Sequence, residues 1–222
     1  MFAGHVGAAL AIGSAERRLN VGVFVAAALL LDAALWLFVL LGLESVEIPP
    51  DFARTHQPAF VFPYSHGLLA ALLWSAAAAL AVAAAVPLRG ARGRAAALVA
   101  AAVFSHWLLD ALVHRRELPL VGAGSPRLGL ALWDDLPIAL LLEAAVVVVG
   151  LVLFLPGSGL TRGGKVALVG FGLGALVFTV LGMTIAPPPP SVAAMAGSSL
   201  AALVAVCVLA WWLGRRARRA QA

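Results

Sequence analysis

The segment SHWLLDALVH at residues 105–114 carries an ionisable side chain at every fourth position, namely His106, Asp110 and His114. On an α-helix this spacing places all three side chains on one face. Imidazole nitrogens and carboxylate oxygens together are ligands for Zn²⁺, Mn²⁺ or Fe²⁺, and a His–Asp pair one turn apart can bind one ion from a single helix. The spacing therefore predicts a metal-binding face on this helix.

Further ionisable residues lie within or beside apolar runs, where such side chains are rare and cost about 3 kcal/mol each on insertion scales. These residues are His5, Asp32, His66 and Glu143. A bound metal ion would compensate the buried carboxylates and explain why they persist. The alternative is that each residue only hydrogen-bonds a neighbouring helix, and that a His–Asp pair neutralises itself.

The composition identifies the elements that must position these residues. The chain is 63% hydrophobic and 11% charged, whereas a soluble domain carries about 25% charged residues. Six apolar runs are each long enough to cross a bilayer: residues 21–43, 64–86, 95–114, 136–155, 166–186 and 192–213. We therefore expect an all-α fold, a polytopic membrane helix bundle of six transmembrane helices, forming a single membrane domain over residues 1–222.

A seventh apolar stretch, residues 2–13, is too short to span a membrane. If the chain turns at residues 14–18 on the cytoplasmic face, a helix reaching back from that turn places His5 about 13 Å into the membrane. The same arithmetic places Asp32 about 16 Å from that face, with His106 at a similar depth. Partial helices are tolerated at mid-membrane where they line a cavity. We predict an N-terminal half-helix that brings His5 to this depth.

The basic residues predict the orientation of the spans. Eleven of them fall on one side of the predicted spans and four on the other. The first set is Arg17, Arg18, Arg89, Arg92, Arg94, Arg162, Lys165, Arg215, Arg216, Arg218 and Arg219, and the second is Arg54, Arg115, Arg116 and Arg127. The positive-inside rule places the first set, and both termini, in the cytoplasm.

The predicted metal ligands are His5, Asp32, His66, His106 and Asp110. His66 is also a candidate catalytic residue, as a proton shuttle, and Glu143 is a second candidate that could orient a ligating histidine. His114 abuts Arg115 at the outer boundary, where a solvated interfacial role competes with ligation. His56 lies in an outer loop, and we expect it to have no catalytic role.

Four stretches resemble the motifs of metal-dependent hydrolases associated with the bacterial inner membrane, a family that includes the LexA-regulated inner-membrane type. They are GHVGAAL with His5, LLLDAALW with Asp32, YSHGLL with His66, and SHWLLDALVH with His106 and Asp110. The metal motif of that family is commonly compared with that of zinc-dependent phospholipases C. The resemblance covers residues 1–115 and implies that they form the metal-site half, while residues 116–222 provide supporting helices.

Two departures from the family pattern bear on the site. The family usually has a Pro-Asp-x-Asp element, but here Leu31 precedes Asp32 and Ala34 replaces the second aspartate. It also usually has His-Arg-Gly before its Thr-His, and here that stretch reads VFPYSH. One carboxylate and one histidine are therefore missing, which is compatible with a single-metal site or with a site that has lost catalysis.

Two functions from different classes remain after these observations. The first is a membrane-embedded hydrolase that uses a divalent metal, Zn²⁺ before Mn²⁺ or Fe²⁺, on an ester or phosphodiester bond of a lipid-like small molecule. The second is a small transporter or proton- or ion-coupled carrier that uses the same His and Asp residues. The expected partners are the lipid bilayer and that substrate. Nucleic acid is not expected, because the basic residues lie at helix ends, and the oligomeric state is open.

Overall fold

The computed structural model describes residues 1–85 and 90–219, and in this part of the chain α-helices dominate. The helices are α1 (Phe2–Gly13), α2 (Val21–Ala28), α3 (Leu30–Leu40), α4 (Phe52–Thr55), α5 (Leu68–Ala85), α6 (Arg92–Val113), α7 (Leu136–Phe154), α8 (Arg162–Thr184) and α9 (Val192–Arg219). Short antiparallel strands pair β1 (Ser45–Glu47) with β2 (Ala59–Val61), and β3 (Leu118–Pro119) with β4 (Arg127–Leu128). The prediction of an all-α helix bundle is confirmed.

The apolar helices are long enough to cross a membrane. Among the described residues, five single helices are long and apolar enough to span a membrane, namely α5, α6, α7, α8 and α9. Helices α2 and α3 are long enough to span a membrane only together, as a pair that is bent by 48°. The chain is therefore a membrane protein with up to six spans, in the positions that the apolar runs predict, although residue 86 lies outside the described residues.

The second predicted span begins later than the sequence suggests. Residues 64–67 form a turn, and α5 starts only at Leu68. A Cβ atom at Gly67 would lie 2.6 Å from the Pro63 carbonyl oxygen, so this turn depends on a glycine. His66 therefore lies in the turn before the helix rather than on the helix itself.

Helix α1 is the predicted half-helix, and it is largely buried against α7. Close approach of the two backbones depends on small residues, since a Cβ atom at Gly7 would lie 2.6 Å from the Val146 carbonyl. Arg17 holds the end of α1 near α7 by donating to the Phe154 carbonyl at 2.9 Å. This packing keeps a twelve-residue helix at a fixed depth inside the bundle.

The turn after α1 contains a charged pair, at the end of the bundle where Arg17 contacts α7. Arg18 donates to both Glu16 carboxylate oxygens, at 2.8 and 2.7 Å. These hydrogen bonds lower the pKa of the Glu16 carboxyl group below its ordinary value. Glu16 therefore stays ionised, and the pair fixes the turn through which α1 connects to α2.

The opposite end of the bundle is covered by two loops, residues 41–67 and 114–135, which we call the cap. Each loop contains one of the two strand pairs. The Gln57 side chain joins the loops by donating from Nε2 to the Trp133 carbonyl at 2.8 Å. The two loops that the charge pattern assigns to one side of the membrane thus contact each other at one end of the bundle.

Candidate metal centre

All five predicted ligands come together inside the bundle at the end that the cap covers, and one of them, His66, belongs to the cap itself. They are His5 from α1, Asp32 from α3, His66 from the turn before α5, and His106 and Asp110 from α6. Two overlapping groups, His5–Asp32–His106 and His66–His106–Asp110, each offer ligand atoms within 4.8 Å of one another. These groups could hold a metal ion. The side chain of Asp32 is 23% exposed, and the other four are buried.

His106 lies at the centre of the cluster. Its Nε2 atom is 3.1 Å from Asp110 Oδ2, 3.6 Å from Asp32 Oδ1 and 3.1 Å from the Nε2 atom of His66. His66 Nε2 is in turn 3.5 Å from Asp110 Oδ2 and 3.7 Å from Asp32 Oδ1. Two ring nitrogens and two carboxylates therefore face one small region.

The other ring nitrogen of His106 fixes its tautomer. Nδ1 lies 2.6 Å from the carbonyl oxygen of Ala28, which can only accept a hydrogen bond. Nδ1 must therefore carry the proton, and in the neutral ring Nε2 keeps its lone pair. Ala28 is the last residue of α2, at the bend before α3. The bent span thus supplies the acceptor that orients His106.

A relay of Glu44 and Ser65 fixes the tautomer of His66 in the same sense. Ser65 Oγ donates to the Glu44 Oε2 atom at 2.7 Å and lies 2.8 Å from His66 Nδ1. Glu44 is held by its Oε1 atom, which accepts from the backbone N–H groups of Tyr64 and Ser65. Because the Ser65 proton is directed at the carboxylate, Ser65 can only accept from His66 Nδ1–H. In the neutral ring, the Nε2 atom of His66 is then left with a lone pair.

Two lone pairs that face each other at 3.1 Å cannot form a hydrogen bond. They need a metal ion or a shared proton between them, and the carboxylates of Asp32 and Asp110 beside them add negative charge to the same place. Neutral imidazole nitrogens whose other nitrogens are held by acceptors, together with carboxylates, are the usual surroundings of a Zn²⁺ ion. The residues present therefore fit a bound metal.

We expect Ser65→Ala to weaken metal binding by about 10- to 100-fold, the usual effect of losing a hydrogen bond to a ligand. The His66 ring would lose the acceptor that holds its proton on Nδ1, so its Nε2 atom would not stay free. Ser75→Ala is the matched control, because Ser75 is also buried but, among the described residues, bonds only the Ala71 carbonyl. Titration of the purified variants with Zn²⁺ checks this, and equal affinities for both variants would contradict the relay.

His5 approaches the cluster from the half-helix. Its ring stacks on that of His106, with centroids 3.7 Å apart and an angle of 10° between the planes. Its Nε2 atom is 3.2 Å from Asp110 Oδ1 but does not have hydrogen-bond geometry, and neither ring nitrogen has a hydrogen-bond partner among the described residues. The amino group of Met1 also lies 2.9 Å from Asp110 Oδ1. His5 is therefore a buried ring whose nitrogens are free to bind an ion.

Glu143 contacts the backbone of α1 instead of a histidine ring in the described structure. Its Oε2 atom accepts from the Gly4 N–H at 2.6 Å, immediately before His5. Its Oε1 atom is buried and has no hydrogen-bond partner among the described residues. Glu143 thus holds the helix that carries His5, and one of its oxygens remains available.

The histidines outside the ligand set also lie close to the site. His114 is only 5% exposed, so it is buried and does not occupy the solvated interfacial position that the sequence left open. Its Nε2 atom is 3.7 Å from Asp110 Oδ2, and its Nδ1 atom is 3.1 Å from Glu117 Oε2. Packing of the Trp133 ring over His114, at 4.2 Å between centroids, explains this burial. His56 lines the cavity at the cap.

A cavity of about 250 Å³ opens beside the cluster. Its polar end is formed by Asp32, His66, Asp110, His114 and Glu143. Its other walls are mainly apolar and come from α1, α3, the cap, α8 and α9. The cavity therefore combines candidate metal ligands at one end with space for an apolar group at the other, which is typical of a binding site for an amphipathic molecule.

Sequence reasoning missed Glu44, Ser65 and the Ala28 carbonyl. Glu44 follows the first apolar run and reads as an ordinary interfacial residue. The adjacency of Ser65 and His66 was the one available signal, because a hydroxyl next to a ligating histidine can orient it. The carbonyl of Ala28 gave no signal, since every residue has one.

No family model, curated protein or solved structure matches this chain. The resemblance of residues 1–115 to metal-dependent hydrolases therefore stays a prediction. The function has to be inferred from the cluster and its cavity.

Proposed function

We propose that the protein is a membrane-embedded, metal-dependent hydrolase that cleaves an ester or phosphodiester bond of a lipid-like substrate. One observation carries the proposal: the Nε2 atoms of His66 and His106 face each other at 3.1 Å beside Asp32 and Asp110, while the Nδ1 atom of each ring is held by an acceptor. This donor set opens onto a cavity whose remaining walls are mainly apolar. A metal with access to an amphipathic molecule suits hydrolysis at the junction of its polar and apolar parts.

Zn²⁺ is the proposed metal, with Mn²⁺ and Fe²⁺ as alternatives. The set consists of imidazoles and carboxylates, a combination typical of catalytic rather than structural zinc sites. His5, His66, His106, Asp32 and Asp110 would hold the ion. When bound, such an ion polarises the scissile oxygen and lowers the pKa of a bound water towards neutrality.

The residues around the ion would then orient the substrate and move one proton. Water adds to the carbonyl carbon or phosphorus, the bond to the leaving oxygen breaks, and a water proton passes to that oxygen. Glu143 is placed to carry that proton, because its Oε1 atom is buried at the cavity without a partner among the described residues. The Glu44–Ser65 relay keeps His66 in its binding tautomer throughout.

The proposal is tested by reconstituting the purified protein in phospholipid nanodiscs with Zn²⁺ and measuring released products by mass spectrometry. Hydrolysis should release a fatty acid or a phosphorylated headgroup, and Glu143→Gln should lower the rate while leaving bound zinc unchanged. Asp110→Asn should lose both the bound zinc and the hydrolysis. A zinc-loaded protein that releases no product from phospholipids or other lipid esters would overturn the proposal.

A carrier is the second candidate, and the bend in the first span favours it. Interrupted helices and partial helices are common where transporters bind ions, and here α2 and α3 meet at 48° beside the half-helix α1. Ion or proton uptake into proteoliposomes, measured with the same preparation, separates the two functions. Uptake without hydrolysis would favour the carrier.

We further propose that the chain lies in a bacterial inner membrane with the turn after α1 and the end of α9 on the cytoplasmic side and the cap outside. Met1 itself is buried in the bundle, with its amino group 2.9 Å from Asp110 Oδ1, so the cytoplasmic assignment applies to the turn at residues 14–18 and not to the N-terminus. Arg54 in the cap is 78% exposed on its side chain, so Arg54→Cys in a Cys207→Ala background should react with an impermeant thiol reagent added to the outside of intact cells. Arg162→Cys, at the other end of the bundle, should react only after lysis. The reverse pattern would invert the orientation.

A further inference from the structure

Helices α8 and α9 form one wall of the cavity beside the cluster. The lining residues on α8 are Phe178, Thr179, Gly182 and Met183, and those on α9 are Ser199, Ala202 and Leu203. On each helix they recur at three- and four-residue spacing, so they form one continuous stripe. None of them is charged, and Gly182, Ser199 and Ala202 are small. The two stripes therefore form an uncharged gap with room between the helices.

The gap also reaches the lateral surface of the bundle. Phe178 lines the cavity and is nevertheless 53% exposed, and Gly182 is exposed as well. A residue that borders both the cavity and the outer surface marks an opening. Because α8 and α9 are both candidate membrane spans, this opening faces the acyl region of the bilayer.

The cap separates the cavity from the aqueous side. Gln57, Pro58 and Trp133 line the cavity, and the same three residues line a second cavity of about 120 Å³ in the cap. They therefore form the partition between the two spaces. The hydrogen bond from Gln57 to the Trp133 carbonyl closes this partition at 2.8 Å. The cap thus narrows the route from the aqueous side, whereas the gap between α8 and α9 opens towards the membrane.

We propose that the gap between α8 and α9 is a lateral portal occupied by an acyl chain of a membrane glycerophospholipid, whose polar group lies at the metal ligands. An acyl chain fits because the stripes are uncharged and the portal opens into hydrocarbon. The inference rests on the proposed function only where it concerns hydrolysis of the lipid, since the portal could hold the acyl chain without any reaction. The portal gives α8 and α9 a role in binding lipid, in addition to supporting the bundle.

The test uses a phosphatidylethanolamine that carries a diazirine on its acyl chain. This lipid is incorporated into nanodiscs together with the protein of residues 1–222. After illumination, mass spectrometry should place the label on Leu203, which is 5% exposed and lines the cavity. Surface lipid cannot reach this side chain except through the portal. Ala196 on the same helix is 0% exposed and does not line the cavity, so it should stay unlabelled.

Bulky side chains in the portal should block the labelling of Leu203. Gly182→Phe and Ala202→Phe should each lose most of it. A Cβ atom at Gly182 would meet no atom within 4 Å, so no neighbour opposes the first atom of the new side chain. Gly174→Phe is the matched control on α8, because Gly174 is equally free of neighbours but does not line the cavity. Bound zinc should be unchanged in all three variants.

The outcomes separate the portal from the reaction. Labelling of Leu203 that Gly182→Phe abolishes supports the portal, even if no lipid is hydrolysed and the proposed function fails. Labelling confined to exposed side chains, or labelling of Leu203 that persists in both portal variants, overturns the portal even if hydrolysis is observed. Loss of labelling in Gly174→Phe as well would also overturn it, since a general disturbance of α8 would then explain the result.

Discussion

His106→Ala should leave the purified protein with almost none of its metal. Among the histidine nitrogens, His106 Nε2 lies closest to both carboxylates, and it is 3.1 Å from His66 Nε2, so its removal takes away the centre of the ligand set. Changes in residues that only support a ligand already cost about 10- to 100-fold in metal affinity, so loss of the ligand should cost at least that much. Elemental analysis of protein loaded with equimolar Zn²⁺ measures the outcome.

Two other histidines serve as controls for this experiment. His56→Ala should keep the full metal content, because His56 lies in the cap and belongs to neither ligand group. His114→Ala should keep most of it, because His114 belongs to neither group and its Nε2 atom lies 3.7 Å from Asp110 Oδ2, farther than the nitrogens of His106 and His66. If His114→Ala loses metal as completely as His106→Ala, the ion lies nearer the cap than we infer.

The meeting of four candidate ligands, His5, Asp32, His106 and Asp110, could be predicted because it depends on simple helix geometry. A rise of about 1.5 Å per residue assigns a depth to every residue of a span once the ends are known. The four-residue spacing of His106 and Asp110 assigns them to one face. His5 was the more demanding case, since it required a short apolar segment to be interpreted as a helix that enters the bundle without crossing it.

The Glu44–Ser65 relay could not be predicted, because it depends on the pairing of strands far apart in sequence. Strand β1 pairs with β2 so that Ser45 lies opposite Val61. This register brings Glu44 next to the turn that contains Ser65 and His66. Strands of three residues give almost no periodic signal, and nothing in the apolar runs indicates which loop residues will meet.

The bend between α2 and α3 was equally hidden. Sharp bends are usually caused by proline or glycine, or by a side chain that enters the hydrogen-bond ladder. The sequence at the bend is Ala28, Leu29 and Leu30, which predicts an uninterrupted helix. In the structure, His106 Nδ1 lies 2.6 Å from the Ala28 carbonyl oxygen at this bend. A partner from another helix thus accompanies the bend, which the local sequence cannot reveal.

Removing the metal should destabilise the wild-type protein. Without the ion, the lone pairs of His66 and His106 face each other beside two carboxylates in a largely buried site. A ligand that binds only the folded state contributes about 4 kcal/mol when its free concentration is a thousand times its Kd. In a chain of this size each kcal/mol shifts the Tm by about 2–4 °C.

Thermal unfolding in detergent, followed by circular dichroism with and without a chelator, should therefore show a clear fall in Tm for the wild type. His106→Ala should melt at one temperature under both conditions, because it has little metal to lose. This control separates removal of the bound ion from a general effect of the chelator on membrane helices. If chelation lowers the Tm of both proteins equally, or of neither, a stabilising ion in this cluster is contradicted, and the facing nitrogens must share a proton instead.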